Sequence, residues 1–171
     1  AIENYDQAIE LAPETGRVAL FDQRGLAYAH QENYERAIAD YNQAIHLNPQ
    51  YAVAFYHRGL AYNRREEFSR AVEDFDQAIG LSETGLKSGL QTDRPESGLK
   101  SRRRTDRPES GFQPGQTDLL LNPPELSAAH TERGYAYLRL QNHPQALADF
   151  EQALKLNDKN VAAYNNRGSV Y

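Results

Sequence analysis

A period of 34 residues constrains the fold of this chain more than any other feature of its sequence. The letters RGLAY at residues 24–28 recur unchanged at residues 58–62, 34 positions later. A variant, RGYAY, stands at residues 133–137, and a partial copy follows at residues 167–171, again 34 positions on. Self-similarity at such a period is typical of an array of stacked supersecondary units. Each copy therefore predicts one structural unit.

A second block follows each of the first three copies at fixed spacing, at residues 37–45, 71–79 and 146–154. In the first block, Phe21, Gly25 and Tyr28 step by four and three residues, which places them on one face of a helix. The second block has the same spacing, and neither block alternates as a strand would. Polar residues 31–33 separate the two blocks, and Pro49 ends the unit. The sequence predicts two helices per unit.

Each first helix carries an interior glycine, although glycine there is about 1 kcal/mol less favourable than alanine. These glycines are Gly25, Gly59, Gly134 and Gly168. We expect close approach by the second helix of the unit, whose facing residues Ala37, Ala71 and Ala146 are also small. A bulky aromatic side chain one turn on, such as Tyr28, would fill the remaining space.

An arginine precedes each glycine, and an aspartate follows that arginine 16 residues later in the three complete units. The pairs are Arg24 with Asp40, Arg58 with Asp74, and Arg133 with Asp149. Antiparallel packing of the two helices would bring each pair within reach. We interpret them as ion pairs that brace the hairpin, the alternative being that the arginines reach a ligand.

The 34-residue period, the small residues and the aromatics around them resemble the tetratricopeptide repeat (TPR). The resemblance implies an all-α, right-handed α-solenoid of antiparallel helix pairs, interrupted here by a low-complexity loop. Arginine replaces the leucine that often precedes the glycine in this family. His130 replaces the aromatic found at Phe21, Phe55 and Tyr164, and Asp158 stands where Pro13 and Pro49 close other units.

The period divides the chain into three complete units, two partial ones and an insertion. The complete units are residues 18–51, 52–85 and 127–160; residues 1–15 are the second helix of a truncated unit, residues 161–171 the first helix of another, and residues 86–126 a disordered insertion. We therefore expect a fragment of a longer array, truncated at both ends.

The insertion contains the heptapeptide TDRPESG twice, at residues 92–98 and 105–111. Perfect repetition of Gly, Ser, Pro and charged residues without apolar periodicity is typical of a low-complexity loop. Residues 101–104, with the letters SRRR, would contact nucleic acid or an acidic partner in a functional interpretation. We favour the alternative, a solvated loop without a role.

No motif for catalysis, phosphate binding or metal binding is present, and none of the five histidines has ligand spacing. We predict no enzyme, no catalytic residue, no metal and no cofactor. The chain lacks cysteine, a membrane-spanning apolar stretch and an N-terminal signal pattern. Cytoplasm is the default expectation, although a truncated N-terminus could have lost a targeting segment.

The resemblance also implies a binding surface, because ligands of this family usually lie in the concave groove lined by the first helices. Transferred by position, the groove residues are Asp22, Leu26, His30, Tyr56, Leu60, Arg64, Thr131, Tyr135, Arg139 and Asn165. Tyr56 and Tyr135 could instead pack between neighbouring units. Some family members hold a C-terminal carboxylate with Lys and Asn, but the corresponding residues here include Asp22, Leu26, Leu60 and Glu132, which disfavours that mode.

These features indicate a scaffold that binds a peptide or protein partner through the groove. The alternative is a docking or regulatory segment of a larger multidomain enzyme or regulator. Neither a small-molecule substrate, nor nucleic acid, nor a membrane is expected as a partner, and the sequence leaves the oligomeric state open.

Overall fold

A computed structural model describes residues 2–92 and 119–170 of the chain, which contain eight helices and no strand. The helices are α1 (Ile2–Leu11), α2 (Glu14–His30), α3 (Tyr34–Leu47), α4 (Ala52–Arg64), α5 (Phe68–Thr92), α6 (Pro123–Arg139), α7 (His143–Leu156) and α8 (Val161–Gly168). None of these helices is long and apolar enough to cross a membrane.

The helices pair as hairpins, α2 with α3, α4 with α5 and α6 with α7, which we term the first, second and third units. The second helix of each unit also packs on the first helix of the next, and α1 and α8 extend this pattern at the two ends. The prediction of an all-α solenoid built from helix pairs is confirmed.

The turn inside each hairpin contains one non-glycine residue with a left-handed backbone. These residues are Glu32, Glu66 and Gln141, with φ near 60°. In the first unit the backbone N–H of Glu32 donates to the carbonyl of Ala29, and that of Asn33 donates to the carbonyl of Tyr28. These two hydrogen bonds form a Schellman motif, which ends the first helix and reverses the chain.

In the three complete units the second helix approaches the interior glycine closely, as predicted, but the residue that faces the glycine is an aromatic ring and not the predicted alanine. A Cβ built on Gly25 would lie 2.6 Å from the ring of Tyr41, and one built on Gly59 would lie 2.9 Å from the ring of Phe75. Gly134 faces Phe150 in the same way, at 2.6 Å. The alanines 37, 71 and 146 are fully buried one turn earlier on the second helix. Gly25, Gly59 and Gly134 therefore each make room for an aromatic ring of the second helix.

The boundaries of the insertion differ from the predicted residues 86–126. Helix α5 continues to Thr92, and α6 begins at Pro123 with a capping box formed by Asn122 and Glu125. Between them, Leu121 is 1% exposed, and its backbone N–H donates to Ser82 Oγ at 3.0 Å.

The C-terminal flank of the insertion thus lies against the repeats, because it carries Leu121, which is buried there. Residues 93–118 lie outside the described part of the chain. They include the SRRR run and both TDRPESG copies, except for the first residue of the first copy.

Candidate functional site

Three arginine–aspartate pairs brace the hairpins, as the 16-residue spacing predicts. Arg24 donates from Nε and Nη2 to the two carboxylate oxygens of Asp40, at 2.8 and 2.6 Å. The pair of Arg58 with Asp74 and the pair of Arg133 with Asp149 have the same geometry and distances. These guanidinium groups bond to residues of their own hairpins, so the alternative that the arginines reach a ligand is not supported.

The remaining nitrogen of each arginine crosses to the preceding unit. Nη1 of Arg24 donates to Oδ1 of Asp6, Nη1 of Arg58 donates to Oδ1 of Asn42, and Nη1 of Arg133 donates to Oδ1 of Asp76. In the first two units the guanidinium also lies over an aromatic ring one turn earlier, Phe21 at 5.4 Å and Phe55 at 5.5 Å. Each arginine therefore joins three helices of two consecutive units.

His130 takes the place of that aromatic ring in the third unit. It is 4% exposed, and its Nδ1 lies 2.9 Å from Oδ1 of Asp149. Burial raises the pKa of the Asp149 carboxyl, but the hydrogen bonds from Arg133 and His130 outweigh burial and lower that pKa below its usual range. The Nε2 of His130 has no hydrogen-bond partner among the described residues and lies 4.0 Å from the Glu83 carboxylate.

Asp22 was predicted to line the groove, but the structure buries it completely. One carboxylate oxygen lies 2.8 Å from Nδ1 of His57, and the other accepts a hydrogen bond from the Tyr51 hydroxyl at 3.4 Å. A buried carboxylate requires such partners, because an unpaired charge would be strongly destabilising in the interior. Asp22 therefore joins the first unit to the second and is not accessible to a partner.

Thr131 was also predicted to line the groove and is buried. Its hydroxyl donates to the carbonyl of Ser127 at 2.9 Å and accepts a hydrogen bond from Asn160 Nδ2 at 2.9 Å. A threonine that bonds back to the preceding turn of its own helix leaves no polar atom for a ligand. The remaining eight predicted groove residues are partly or fully exposed.

Four of these eight, His30, Arg64, Arg139 and Asn165, are exposed. Leu26, Tyr56, Leu60 and Tyr135 are partly buried. The ring of Tyr56 packs near Phe75 and His57, with centroids 6.1 and 5.6 Å away. Burial, aided by the charges of Glu132 and Glu125, raises the pKa of Tyr56 to about 12. Tyr56 therefore has a packing role in the array besides any contact with a ligand.

Tyr135 and Arg139 form a cluster with Phe68 at the turn end of the second unit. The guanidinium of Arg139 lies 4.6 Å from the centroid of the Phe68 ring and donates to the Tyr135 hydroxyl at 2.8 Å. The rings of Phe68 and Tyr135 meet edge to face at 6.2 Å. Glu66 approaches the same guanidinium to 3.7 Å. The cluster offers an apolar surface with one cation at its rim.

Sequence reasoning missed Asn63, which connects two first helices. Asn63 is 8% exposed, and its amide nitrogen donates to the carbonyl oxygen and the carboxylate of Glu132, at 3.1 and 3.2 Å. The equivalent positions in the first and third units hold Ala29 and Leu138. A single polar residue at an otherwise apolar repeat position was the available signal.

The described residues contain no group of three His, Cys, Asp or Glu side chains that could hold a metal ion. The buried Asp22–His57 and Asp149–His130 pairs bond to neighbouring residues of the array.

Family models match the chain in three places. A model described as TPR repeat matches residues 25–65, and two described as tetratricopeptide repeat match residues 52–84 and 127–160. A comparison with curated proteins gives no match.

Several solved structures share the fold at low sequence identity. The first TPR of Spaghetti (RPAP3) bound to the HSP90 peptide SRMEEVD is 21% identical with a TM-score of 0.65, over 91% of this chain and 90% of that one. The second TPR domain of human RPAP3, in complex with the HSP70 peptide SGPTIEEVD, is 21% identical with a TM-score of 0.66, over 92% and 98%. YrrB, described as a TPR protein with an unusual peptide-binding site, is 19% identical with a TM-score of 0.67, over 99% and 66%.

Proposed function

The chain belongs to the tetratricopeptide-repeat family, and on that premise we propose that the face lined by its first helices binds an extended peptide segment of a protein partner. The observation that carries the proposal is the spacing of the helices. Consecutive first helices contact each other (α2 with α4, α4 with α6, α6 with α8), and within the described residues these contacts are more extensive than any between α3 and α5 or between α5 and α7. The side on which helices are closer is the inner side of a curved array, which forms a concave surface.

The groove in this proposal has an apolar floor and a basic rim. Leu26, Leu60 and Tyr135 form the floor, and each is partly exposed. Arg64 and Arg139 lie at the rim, one turn further along their helices, and both are exposed. Aromatic and arginine side chains are the ones that most often dominate binding energy at interfaces.

The proposed ligand is a peptide with apolar side chains and a flanking acidic residue. Two structural neighbours bind peptides that end in EEVD. This chain, however, has the buried Asp22, the apolar Leu26 and Leu60, and the acidic Glu132 at positions where carboxylate-binding family members have Lys and Asn. A buried or acidic side chain cannot hold a terminal carboxylate. The acidic residue of the peptide would instead contact Arg64 or Arg139, whether it lies within the peptide or at one of its ends.

Members of this family are generally non-catalytic interaction modules. We accordingly assign the chain a binding role and no reaction.

The experiment selects peptide ligands from a random displayed library against the chain and measures their affinity by fluorescence anisotropy. We expect Arg64→Glu combined with Arg139→Glu to weaken binding at least tenfold, and most at low salt, where charge attraction is least screened. The matched control is Arg36→Glu with Arg70→Glu on second helices, where both arginines are exposed and stack on Tyr28 and Tyr62. Equal loss in both double variants, or loss in the control alone, would place binding away from the groove.

A further inference from the structure

Arg139 is held in one orientation by the aromatic cluster at the turn end of the second unit. Its guanidinium lies 4.6 Å from the centroid of the Phe68 ring, and its Nη1 donates to the Tyr135 hydroxyl at 2.8 Å. Despite these contacts the Arg139 side chain is 41% exposed. The cation is therefore both oriented and accessible, so a ligand that binds it removes little further side-chain freedom.

The edge of this guanidinium formed by Nε and Nη2 has no hydrogen bond to any residue in the described part of the chain. It is the edge through which Arg24, Arg58 and Arg133 each hold the two carboxylate oxygens of an aspartate. Such two-point pairing adds geometric specificity to the charge attraction. Arg139 thus presents to solvent the edge that binds a carboxylate elsewhere in the same chain.

The equivalent arginine of the second unit, Arg64, lacks this arrangement. Leu60 stands where the third unit has Tyr135, so no hydroxyl is present to accept from the guanidinium. The structure shows no hydrogen bond or ring contact between the Arg64 side chain and another described residue, although Tyr34 stands at the position of Phe68. Binding a carboxylate at Arg64 would therefore cost more side-chain entropy than at the oriented arginine of the third unit.

Glu66, in the turn between α4 and α5, approaches the same edge of Arg139 without a close hydrogen bond. Its carboxylate lies 3.7 Å from Nη2, and its side chain is 72% exposed. An ion pair this exposed contributes little to stability. A carboxylate from a ligand can therefore displace Glu66 easily, and Glu66 competes for the edge until it is displaced.

We propose that Arg139 binds one aspartate or glutamate side chain of the peptide through Nε and Nη2, and that Glu66 competes with that side chain for the same edge. The proposal rests on the peptide-binding role of the groove and assigns the acidic contact to Arg139 in preference to Arg64. Phe68 and Tyr135 act as positioning residues for the guanidinium. Their partly exposed rings lie beside it, where they would contact an apolar neighbour of the acidic residue.

The first experiment tests the orientation of Arg139 without a ligand. Nuclear magnetic resonance relaxation of the arginine Nε–H groups should show restricted motion for Arg139 and free motion for Arg64 on the picosecond to nanosecond timescale. Tyr135→Phe removes only the hydroxyl and should increase the mobility of Arg139 without changing that of Arg64. Equal mobility of the two arginines in the parent chain would overturn the proposal.

The second experiment measures binding of the tightest peptide from the displayed library, and of its counterpart with amides in place of its acidic side chains, by fluorescence anisotropy. For the acidic peptide, Arg139→Gln should lower the affinity by about tenfold or more and Arg64→Gln by less than about threefold. Glu66→Gln should raise the affinity about threefold, as expected for loss of an exposed competing charge. This gain should vanish for the amide counterpart, which carries no carboxylate to compete for Arg139.

The matched control for Glu66→Gln is Glu32→Gln, because Glu32 has the same left-handed backbone in the first hairpin turn, with φ of 59° against 60°. Glu32→Gln should not raise the affinity. Amidation of the peptide C-terminus should leave the affinity unchanged, and a large loss would assign the contact to a terminal carboxylate instead.

Three results would overturn the assignment to Arg139 while the groove itself stands. They are equal losses for Arg139→Gln and Arg64→Gln, no gain from Glu66→Gln, and selected groove-binding peptides that have no acidic residue. The double charge reversal at Arg64 and Arg139 separates these results from failure of the proposed function. If that double variant binds the selected peptide as tightly as the parent chain, both proposals are wrong.

Discussion

The second and third units share one framework and differ in the residue that lies beside its buried aspartate. Both have a glycine under a phenylalanine ring and an arginine bound through two nitrogens to an aspartate. In the second unit Phe55 lies under the guanidinium, and in the third unit His130 stands there and bonds to Asp149.

This difference accompanies opposite pKa shifts of two equivalent carboxyl groups. Burial raises the pKa of both, and one arginine opposes it in each unit. In the second unit burial, aided by the charge of Glu73, prevails, so the pKa of Asp74 is raised. In the third unit the additional hydrogen bond from His130 tips the balance, so the pKa of Asp149 is lowered. A buried ion pair is thus close to balance, and one further donor decides its sign.

The largest expected effect tests the framework that the two units share. Gly59→Leu and Gly134→Leu should each lower the free energy of unfolding by about 3 kcal/mol, the upper end for overpacking. Gly134→Leu should be the worse, because the Asp149 Cβ also lies 3.1 Å from its built Cβ. Urea unfolding followed by circular dichroism measures both. A neutral result in either unit would mean that its phenylalanine can move aside.

The next effect separates the two aspartates by pH. At neutral pH we expect Asp149→Asn to lower the free energy of unfolding by about 2 kcal/mol, since it removes a hydrogen-bonded charge. A lowered folded pKa provides stability above the unfolded value of about 3.9 that is lost as pH falls through the folded pKa. The loss caused by Asp149→Asn should therefore shrink below about pH 4.

Asp74→Asn should show the opposite trend. The raised folded pKa of Asp74 provides stability that is present below the unfolded pKa and is lost as pH rises through the folded pKa. The loss caused by Asp74→Asn should accordingly grow as pH falls towards about 4. Urea unfolding of both variants and the parent at several pH values between 3 and 7 gives the comparison. Parallel pH trends would contradict the contrast between the units.

A reciprocal exchange tests whether His130 causes the contrast. His130→Phe should change the free energy of unfolding by less than about 1 kcal/mol, because the lost hydrogen bond is offset by removal of the unpartnered buried Nε2. The pKa of Asp149, measured by carboxyl carbon NMR, should rise. Phe55→His in the second unit should lower the pKa of Asp74. If neither carboxyl responds, another group controls them.

The smallest effect concerns the left-handed turn residues. Gln141→Gly should stabilise the third unit by about 0.5–1 kcal/mol, because glycine adopts a φ near 60° without strain. Glu66→Gly should gain less, since it also removes the carboxylate that approaches Arg139 to 3.7 Å. Thermal unfolding of the two single variants gives the order, and a loss of stability for Gln141→Gly would contradict the assignment of strain to this turn.

Sequence reasoning predicted what depends on position within a unit. The arginine–aspartate pairs follow from a fixed spacing across one hairpin, and the structure shows each of them. Contacts that depend on the angle between units could not be predicted in this way. Asp22 and Thr131 were placed in the groove by the family resemblance, yet His57 from the next unit and Asn160 at the start of α8 cover them.

The two ends of the insertion show a second kind of failure. The break in the 34-residue period indicated an insertion, but composition does not report tertiary contacts. The backbone N–H of Leu121 donates to the hydroxyl of Ser82, 39 residues earlier in the chain. Neither residue type predicts such a contact. For the groove, eight of the ten residues predicted from position keep some exposure, and their role in binding stays a prediction.

The arginine that joins consecutive units also has a consequence for the order of folding. Arg58 reaches its acceptor Asn42 across 16 residues of chain, whereas Arg133 reaches Asp76 across 57. Closing the longer loop is less favourable by about 1 kcal/mol of chain entropy. Contacts between distant residues also slow assembly. We expect the first and second units to form early in refolding and the third to dock on them in a later kinetic phase, which shortening the connection would accelerate.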